Sequence, residues 1–156
     1  MATRTLLAVL AHPDDESLGV GGTLAKYAAE GARVHLLTAT RGERGRYGDR
    51  RPGDPGHPGP DRLGRIREAE LRAAAAALGI EQVSVLDYED GRLDRADPSQ
   101  VVAEIAGHLQ QVRPDVVITF GPDGAYGHPD HIAISQFTTA AVLAAASAGS
   151  GARHHA

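Results

Sequence analysis

The feature that most constrains the fold is a repeated alternation of short apolar runs and longer segments with helical spacing. The short runs, typical of buried strands, are 4–10, 34–38, 83–86 and 116–120. Helical spacing is found at 18–30, 62–78, 97–112 and 130–146. Strands that alternate with helices form a parallel sheet covered by those helices. The sequence therefore predicts an α/β fold with an open, mainly parallel sheet and helices on both faces.

The composition argues against several classes of protein. A chain of 156 residues is the size of one domain. Sixteen basic and twenty acidic residues give a net charge of −4, so we expect neither nucleic-acid nor membrane binding. The lack of cysteine excludes disulfides, thiolate catalysis and Cys-ligated metals. Because the apolar runs are short and none resembles a signal peptide, we expect a cytoplasmic protein. The composition is compatible with a homo-oligomer.

Two loops that follow predicted strands combine histidine, proline and acidic residues. The first is A-H-P-D-D-E at 11–16, and the second is Y-G-H-P-D-H at 126–131. Ligands bind outside the carboxyl ends of parallel strands, so we expect both loops to open onto one crevice. Each loop alone has an ordinary explanation, such as a solvated histidine or acids at a helix N-terminus. Together they offer two histidines and a carboxylate, a common ligand set for a catalytic divalent metal.

Two other ligand classes fit these residues less well. The G-V-G-G run at 19–22 lies where a dinucleotide-binding loop would be, but Leu24 occupies the third glycine position. The three preceding acids would repel a pyrophosphate, so we expect these glycines to allow close helix–sheet packing instead. An H-x-D pattern with a distant histidine also occurs in iron oxygenases, but usually on all-β scaffolds.

The same motifs resemble a known family. The two histidine loops, together with L-G-V-G-G-T-L at 18–24 and T-R-G-E at 40–43, are similar to those of the LmbE-like, PIG-L-type metal-dependent N-acetylglucosaminyl deacetylases. The resemblance covers nearly the whole chain and implies a Rossmann-like fold, in agreement with the alternating pattern. Family members are usually longer. We therefore expect residues 1–156 to be a single LmbE-like deacetylase domain that lacks the family's C-terminal strands.

The resemblance also implies roles for individual residues. His12, Asp15 and His131 are expected to bind the metal, which is Zn²⁺ or, with the same ligands, Fe²⁺ or another divalent ion. Asp14 is expected to be the general base. His128 is expected to be a protonated group that faces the developing oxyanion.

Four further residues match family positions around the substrate. Tyr126 is expected to help polarise the amide carbonyl. Asp130 is expected to orient His128 or to raise the pKa of that histidine. Arg67 and Asp90 are expected to contact sugar hydroxyls.

The function implied by the resemblance is removal of the N-acetyl group from an N-acetylglucosamine conjugate, by attack of metal-activated water on the amide. The expected partner is thus a small-molecule sugar conjugate. Two alternatives stay open: an amidase that acts on a thiol-sugar conjugate, and a metal- or sugar-binding module without turnover. The arginine-rich loop 41–60 is either a solvated segment or a contact for an anionic substituent on the substrate. His154 and His155 are expected to be a loop feature rather than a metal site.

Overall fold

The computed structural model describes residues 3–151, with side chains described as far as residue 147. Its sheet has four parallel strands in the order β3-β2-β1-β4. The strands are β1 (Thr5–Leu10), β2 (Arg33–Thr40), β3 (Gln82–Tyr88) and β4 (Val116–Ile118). The strand order reverses at β1, because β2 and β3 lie on one side of it and β4 on the other. Ligand sites in open α/β sheets lie at such a reversal, outside the carboxyl ends of the strands.

Helices cover both faces of this sheet. The described residues form α1 (Asp15–Leu18), α2 (Gly21–Ala29), α3 (Pro60–Ala77), α4 (Pro98–Val112), α5 (Gly124–Gly127), α6 (Pro129–Gly151) and a 3₁₀ helix (Leu93–Arg95). On one face, Leu7 and Val9 of β1 pack against α4 and α6. On the other face, Leu6 and Leu10 pack against α2 and α3. The predicted α/β fold with helices on both faces is confirmed.

The fourth strand is shorter than predicted. Among the described residues β4 pairs only with β1, and the pairing ends at Ile118. Val116 is 48% exposed, as expected for a strand at the edge of the sheet. Phe120 does not continue the strand, and its ring stacks on His131. Phe120 therefore contacts the candidate site from just beyond the end of the strand.

The predicted helix 18–30 corresponds to α2, which begins three residues later at Gly21, and residue 18 instead ends α1. A side chain at Gly21 would place its Cβ atom 3.1 Å from the carbonyl oxygen of Glu16 and 3.6 Å from Leu78. Gly21 thus allows close contact between helical segments, which corrects the prediction of close helix–sheet packing.

The last predicted helix, 130–146, lies within α6. In the part of the chain that the structure describes, no helix has the length and apolarity needed to cross a membrane. His154 and His155 lie outside the described residues.

Candidate metal centre

Three potential ligand atoms converge at the carboxyl edge of the sheet. His12 follows β1, Asp15 begins α1, and His131 lies in the first turn of α6. Nε2 of His131 lies 3.2 Å from Nδ1 of His12 and 3.4 Å from Oδ1 of Asp15. Nδ1 of His12 lies 3.6 Å from Oδ2 of Asp15, and all three residues are buried. The structure therefore brings the three predicted ligands together.

The spacing of these atoms fits a divalent metal. Zinc lies about 2.0–2.2 Å from nitrogen and oxygen ligands and prefers tetrahedral coordination. Two ligand atoms on such an ion are about 3.3–3.6 Å apart, close to the separations in this cluster. Three protein ligands leave a fourth position for water or substrate, as in catalytic zinc sites.

The second nitrogen of each histidine ligand is held by a hydrogen bond. Nε2–H of His12 donates to Oδ2 of Asp130 at 3.0 Å and lies 3.2 Å from Oδ1 of Asp90. Nδ1–H of His131 donates to the carbonyl oxygen of Gly124 at 3.3 Å. These bonds leave the other nitrogen of each ring to face the cluster, which is the tautomer that a metal requires.

Neighbouring groups also hold Asp15 and His131 in place. The amides of Ala11 and His12 donate to Oδ2 of Asp15 at 3.2 and 2.8 Å, so this carboxylate closes the turn after β1. Phe120 stacks on His131 with 3.8 Å between the ring centroids. The ligands are thus oriented before any metal binds.

Burial and hydrogen bonding act in opposite directions on the two histidines. Burial alone lowers the pKa of His12, but hydrogen bonds to Asp130, Asp15 and Asp90 outweigh it and raise this pKa to about 11. Burial lowers the pKa of His131. The three carboxylates thus favour the protonated form of His12, which must lose a proton to bind a metal, whereas burial favours the neutral form of His131.

Asp14 has an unusual backbone conformation beside the ligands. Its φ of 94° and ψ of −26° lie in the left-handed region, which costs about 1 kcal/mol for a residue other than glycine. Its amide donates to Oε2 of Glu16 at 3.0 Å, and its Oδ2 accepts from Arg67 at 2.8 Å. Burial raises the pKa of Asp14, and the charge of Arg67 opposes this. A strained residue held by its neighbours is typical of functional sites.

His128 is placed next to the ligands. Its ring centroid lies 4.9 Å from that of His12 and 4.6 Å from that of His131. Nδ1 of His128 accepts the amide hydrogen of Asp130 at 3.1 Å. This contact fixes the orientation of the ring, and the role as a protonated group facing the oxyanion stays a prediction. Tyr126 lies at the mouth of the site, 76% exposed, with its ring centroid 5.4 Å from that of His131.

The carboxylate of Asp130 contacts His12 rather than its predicted partner, His128. Besides His12, its Oδ2 accepts the amide hydrogen of Gly91 at 2.7 Å and its Oδ1 that of Leu93 at 3.0 Å. Asp130 is fully buried, so its charge requires several donors, and these three groups supply them. Asp130 therefore positions a ligand instead of acting on His128 through its side chain.

The two residues predicted to contact the sugar both bind protein groups as well. Arg67 donates to the carbonyl oxygens of Gly42 at 2.9 Å and Pro13 at 2.6 Å, in addition to the predicted general base. Oδ2 of Asp90 accepts the amide hydrogen of Arg44 at 2.9 Å. Both Arg67 and Asp90 line the cleft. Their contact with the substrate stays a prediction.

A cleft of about 340 Å³ opens beside the ligand cluster. It is lined by His12, Asp14, Arg67, Asp90, Tyr126 and His128, among others. Of the arginines in loop 41–60, only Arg44 lines this cleft, and it pairs with Glu89. Arg41 binds Glu68, Asp87 and a backbone carbonyl, so it is not free to bind an anionic substituent.

Sequence reasoning missed two residues that support the site. Glu16 is buried and accepts from both the Asp14 amide and the Ser17 hydroxyl, although its pattern suggested only acids at a helix N-terminus. Gly42 has a φ of 62°, and a Cβ atom there would lie 2.0 Å from Arg67. The only sequence signals for these roles are the third acid of D-D-E and the glycine of T-R-G-E.

The fold and this geometry define a class: α/β proteins with a candidate metal centre at the carboxyl edge of a parallel sheet. A family model described as PIG-L, GlcNAc-PI de-N-acetylase, matches residues 7–142. The chain therefore belongs to the PIG-L family, and the resemblance found in the sequence is confirmed.

The chain is similar to bacterial proteins named 1D-myo-inositol 2-acetamido-2-deoxy-alpha-D-glucopyranoside deacetylase. The one from Kineococcus radiotolerans is 41% identical, over 94% of this chain and 47% of that protein. The one from Rhodococcus jostii is 43% identical, over 95% of this chain and 56% of that protein. The chain thus spans about half the length of the curated relatives that it matches.

Three solved structures share the fold. The conserved protein TT1542 from Thermus thermophilus has 38% identity and a TM-score of 0.70, over 88% of this chain and 55% of that one. N,N'-diacetylchitobiose deacetylase from Pyrococcus horikoshii has 27% identity and a TM-score of 0.77, over 90% and 49%. The 4-carboxy-2-hydroxymuconate hydratase GalB from Pseudomonas putida has 26% identity and a TM-score of 0.80, over 90% and 56%.

Proposed function

We propose that this chain carries the catalytic site of a metal-dependent N-deacetylase that hydrolyses the acetamido group of an N-acetylglucosamine conjugate. The observation that carries the proposal is the convergence of three ligand atoms, 3.2–3.6 Å apart, beside a cleft that Asp14 and His128 also line. The proposal is supported by the curated relatives, which are named as deacetylases of an inositol-linked acetamido sugar. The proposal takes residues 1–156 as a single domain of the family.

His12, Asp15 and His131 would hold the metal. We propose zinc, with Fe²⁺ as the alternative, because two histidines and a carboxylate suit both ions. A divalent ion bound there would polarise the amide carbonyl and lower the pKa of water towards about 7.

The remaining chemistry falls to the protein's own side chains. Asp14 accepts the proton of the attacking water, and its bonds to Arg67 and Glu16 hold the carboxylate beside the ligands. Nε2–H of His128 donates to the carbonyl oxygen as negative charge develops there. The departing amine needs a proton, and Asp14 or His128 returns it. Tyr126, at the mouth of the cleft, assists in polarising the carbonyl.

The proposal is tested by release of free amine from a panel of N-acetylglucosamine conjugates, with wild type and two histidine variants. His131→Gln removes a ligand, so bound metal per chain and amine release should both fall. His108→Gln changes a histidine on α4 outside the cleft and should leave both unchanged. Metal binding by wild type without release from any conjugate would favour the module without turnover. Release only from thiol-sugar conjugates would favour the amidase.

A second candidate function is supported by the likeness to GalB, a hydratase with a TM-score of 0.80. Addition of water to a carbon–carbon double bond also requires a base beside activated water, which Asp14 would supply. Loss of absorbance from an unsaturated tricarboxylic acid, with no amine released from the sugar panel, would establish it over deacetylation.

A further inference from the structure

The turn at residues 89–91 links the candidate metal centre to the loop that follows β2. Oε1 of Glu43 accepts the amide hydrogen of Asp90 at 2.8 Å, and Oδ2 of Asp90 accepts that of Arg44 at 2.9 Å. The other carboxylate oxygen of Asp90, Oδ1, lies 3.2 Å from Nε2 of His12. A continuous set of contacts therefore runs from Glu43 through Asp90 to a predicted metal ligand.

The T-R-G-E segment is itself held in place by the parts of the fold that border the site. The hydroxyl of Thr40 donates to the carbonyl oxygen of Ala11 at 3.0 Å and accepts the amide hydrogen of Gly42 at 3.2 Å. Helix α3 packs closely on the segment at Gly64, where an added Cβ atom would lie 3.3 Å from Cβ of Glu43. The backbone that precedes Glu43 is thus held against the turn after β1, and helix α3 lies close to its Cβ atom.

We propose that Glu43 is a positioning residue for the metal centre: by holding the Asp90 amide, it sets the Asp90 carboxylate against His12 and so directs Nδ1 of His12 into the ligand cluster. The inference rests on the proposed metal site. His12 is oriented by two carboxylates, those of Asp130 and Asp90, and only Asp90 depends on Glu43. Glu43 therefore influences the orientation of the His12 ring without contacting it.

The size of the expected effect follows from the number of contacts that separate Glu43 from the proposed metal position. Removing a group that orients a metal-binding histidine lowers metal affinity about 10–100-fold. Glu43 acts one contact further out, and Asp130 still holds His12. We therefore expect a loss of about 3- to 10-fold in affinity when the Glu43 side chain is removed.

The chemistry of the contact provides a rescue variant. The Asp90 amide is a neutral donor, so an amide oxygen can replace the carboxylate as its acceptor. Glu43→Gln should therefore bind metal nearly as wild type does, whereas Glu43→Ala should not. Glu89→Ala is the matched control, because Glu89 lies beside Asp90 but makes only exposed ion pairs to Arg44 and Arg92.

The test measures zinc affinity of the wild type and the three variants by competition with a chromophoric chelator. Exchange of the Asp90 amide hydrogen is followed by NMR in the metal-free proteins. We expect weaker zinc binding and faster exchange in Glu43→Ala alone. Equal zinc affinity in Glu43→Ala and wild type would overturn the inference. A loss of the same size in Glu43→Gln would also overturn it, because the effect would then come from charge rather than position.

These readouts separate the inference from the proposed function. If wild type binds zinc but releases no amine, deacetylation fails, and the pattern among the Glu43 variants still decides the positioning role. If wild type binds no zinc, the metal centre and the positioning role are both refuted.

Discussion

Replacing Asp130 by asparagine distinguishes the role that the structure gives this residue from the role predicted by resemblance. The structure places its carboxylate on His12, whereas the sequence predicts an action on His128. Asparagine keeps the shape of the side chain but turns one of its two acceptors into a donor. Because Oδ2 faces His12 and Gly91 and Oδ1 faces Leu93, at least one buried N–H loses its acceptor whichever way the amide is turned.

The magnitude follows from these contacts. A buried donor without a partner costs about 1–3 kcal/mol, and loss of the charge on the bond to His12 adds about 1 kcal/mol. We expect the free energy of unfolding of the metal-free protein to fall by about 2–4 kcal/mol. Because His12 is less firmly oriented in the variant, we expect metal affinity to fall about 10–100-fold.

Urea unfolding and chelator competition measure the two quantities separately. Asp123→Asn is the control, since Asp123 caps the exposed start of α5 and asparagine caps helices about as well. Its stability and metal affinity should stay close to those of wild type. If Asp130→Asn bound metal as tightly as wild type and lost only turnover, the carboxylate would act on the reaction, and its assignment to His12 would be refuted.

Three further predictions concern single side chains. Asp14→Asn should keep the metal but lose about 10²–10⁴-fold in turnover, and near-normal turnover would remove Asp14 from the mechanism. Gly42→Ala and Gly48→Ala both place a side chain at φ near 60°, but only the first meets Arg67; turnover should fall in the first alone, and equal losses would contradict the role of Arg67 in holding the base. Burial lowers the pKa of His108, so below about pH 6.5 the unfolded chain binds more protons than the folded one. The free energy of unfolding therefore decreases as the pH is lowered. The urea midpoint should therefore drop less on acidification for His108→Gln than for wild type, and identical drops would contradict this assignment.

The sheet and the location of the site could be predicted from sequence because both depend on local patterns. Strand β1 is buried on both faces, so it appears as a nearly continuous apolar run. The polar loops at 11–16 and 126–131 follow the two strands between which the strand order reverses, so the position of the site follows from chain order.

The contacts that orient the site could not be predicted, because they join residues far apart in sequence. His12 and Asp130 are separated by 118 positions, and Arg67 reaches back 54 positions to Pro13. Which buried donor a carboxylate binds depends on how α6 packs against the turn after β3, and no periodicity encodes this. The resemblance identified Asp130 as important, but only the packing shows that its carboxylate binds His12.

The most direct test of the proposed function is titration of the metal-free protein with zinc while acetate release from an N-acetylglucosamine conjugate is followed. We predict no release without metal, a rise in rate with added zinc, and a plateau at one equivalent per chain, set by His12, Asp15 and His131. Release that does not depend on metal, or a chain that binds one zinc and releases no acetate from any conjugate, would contradict it.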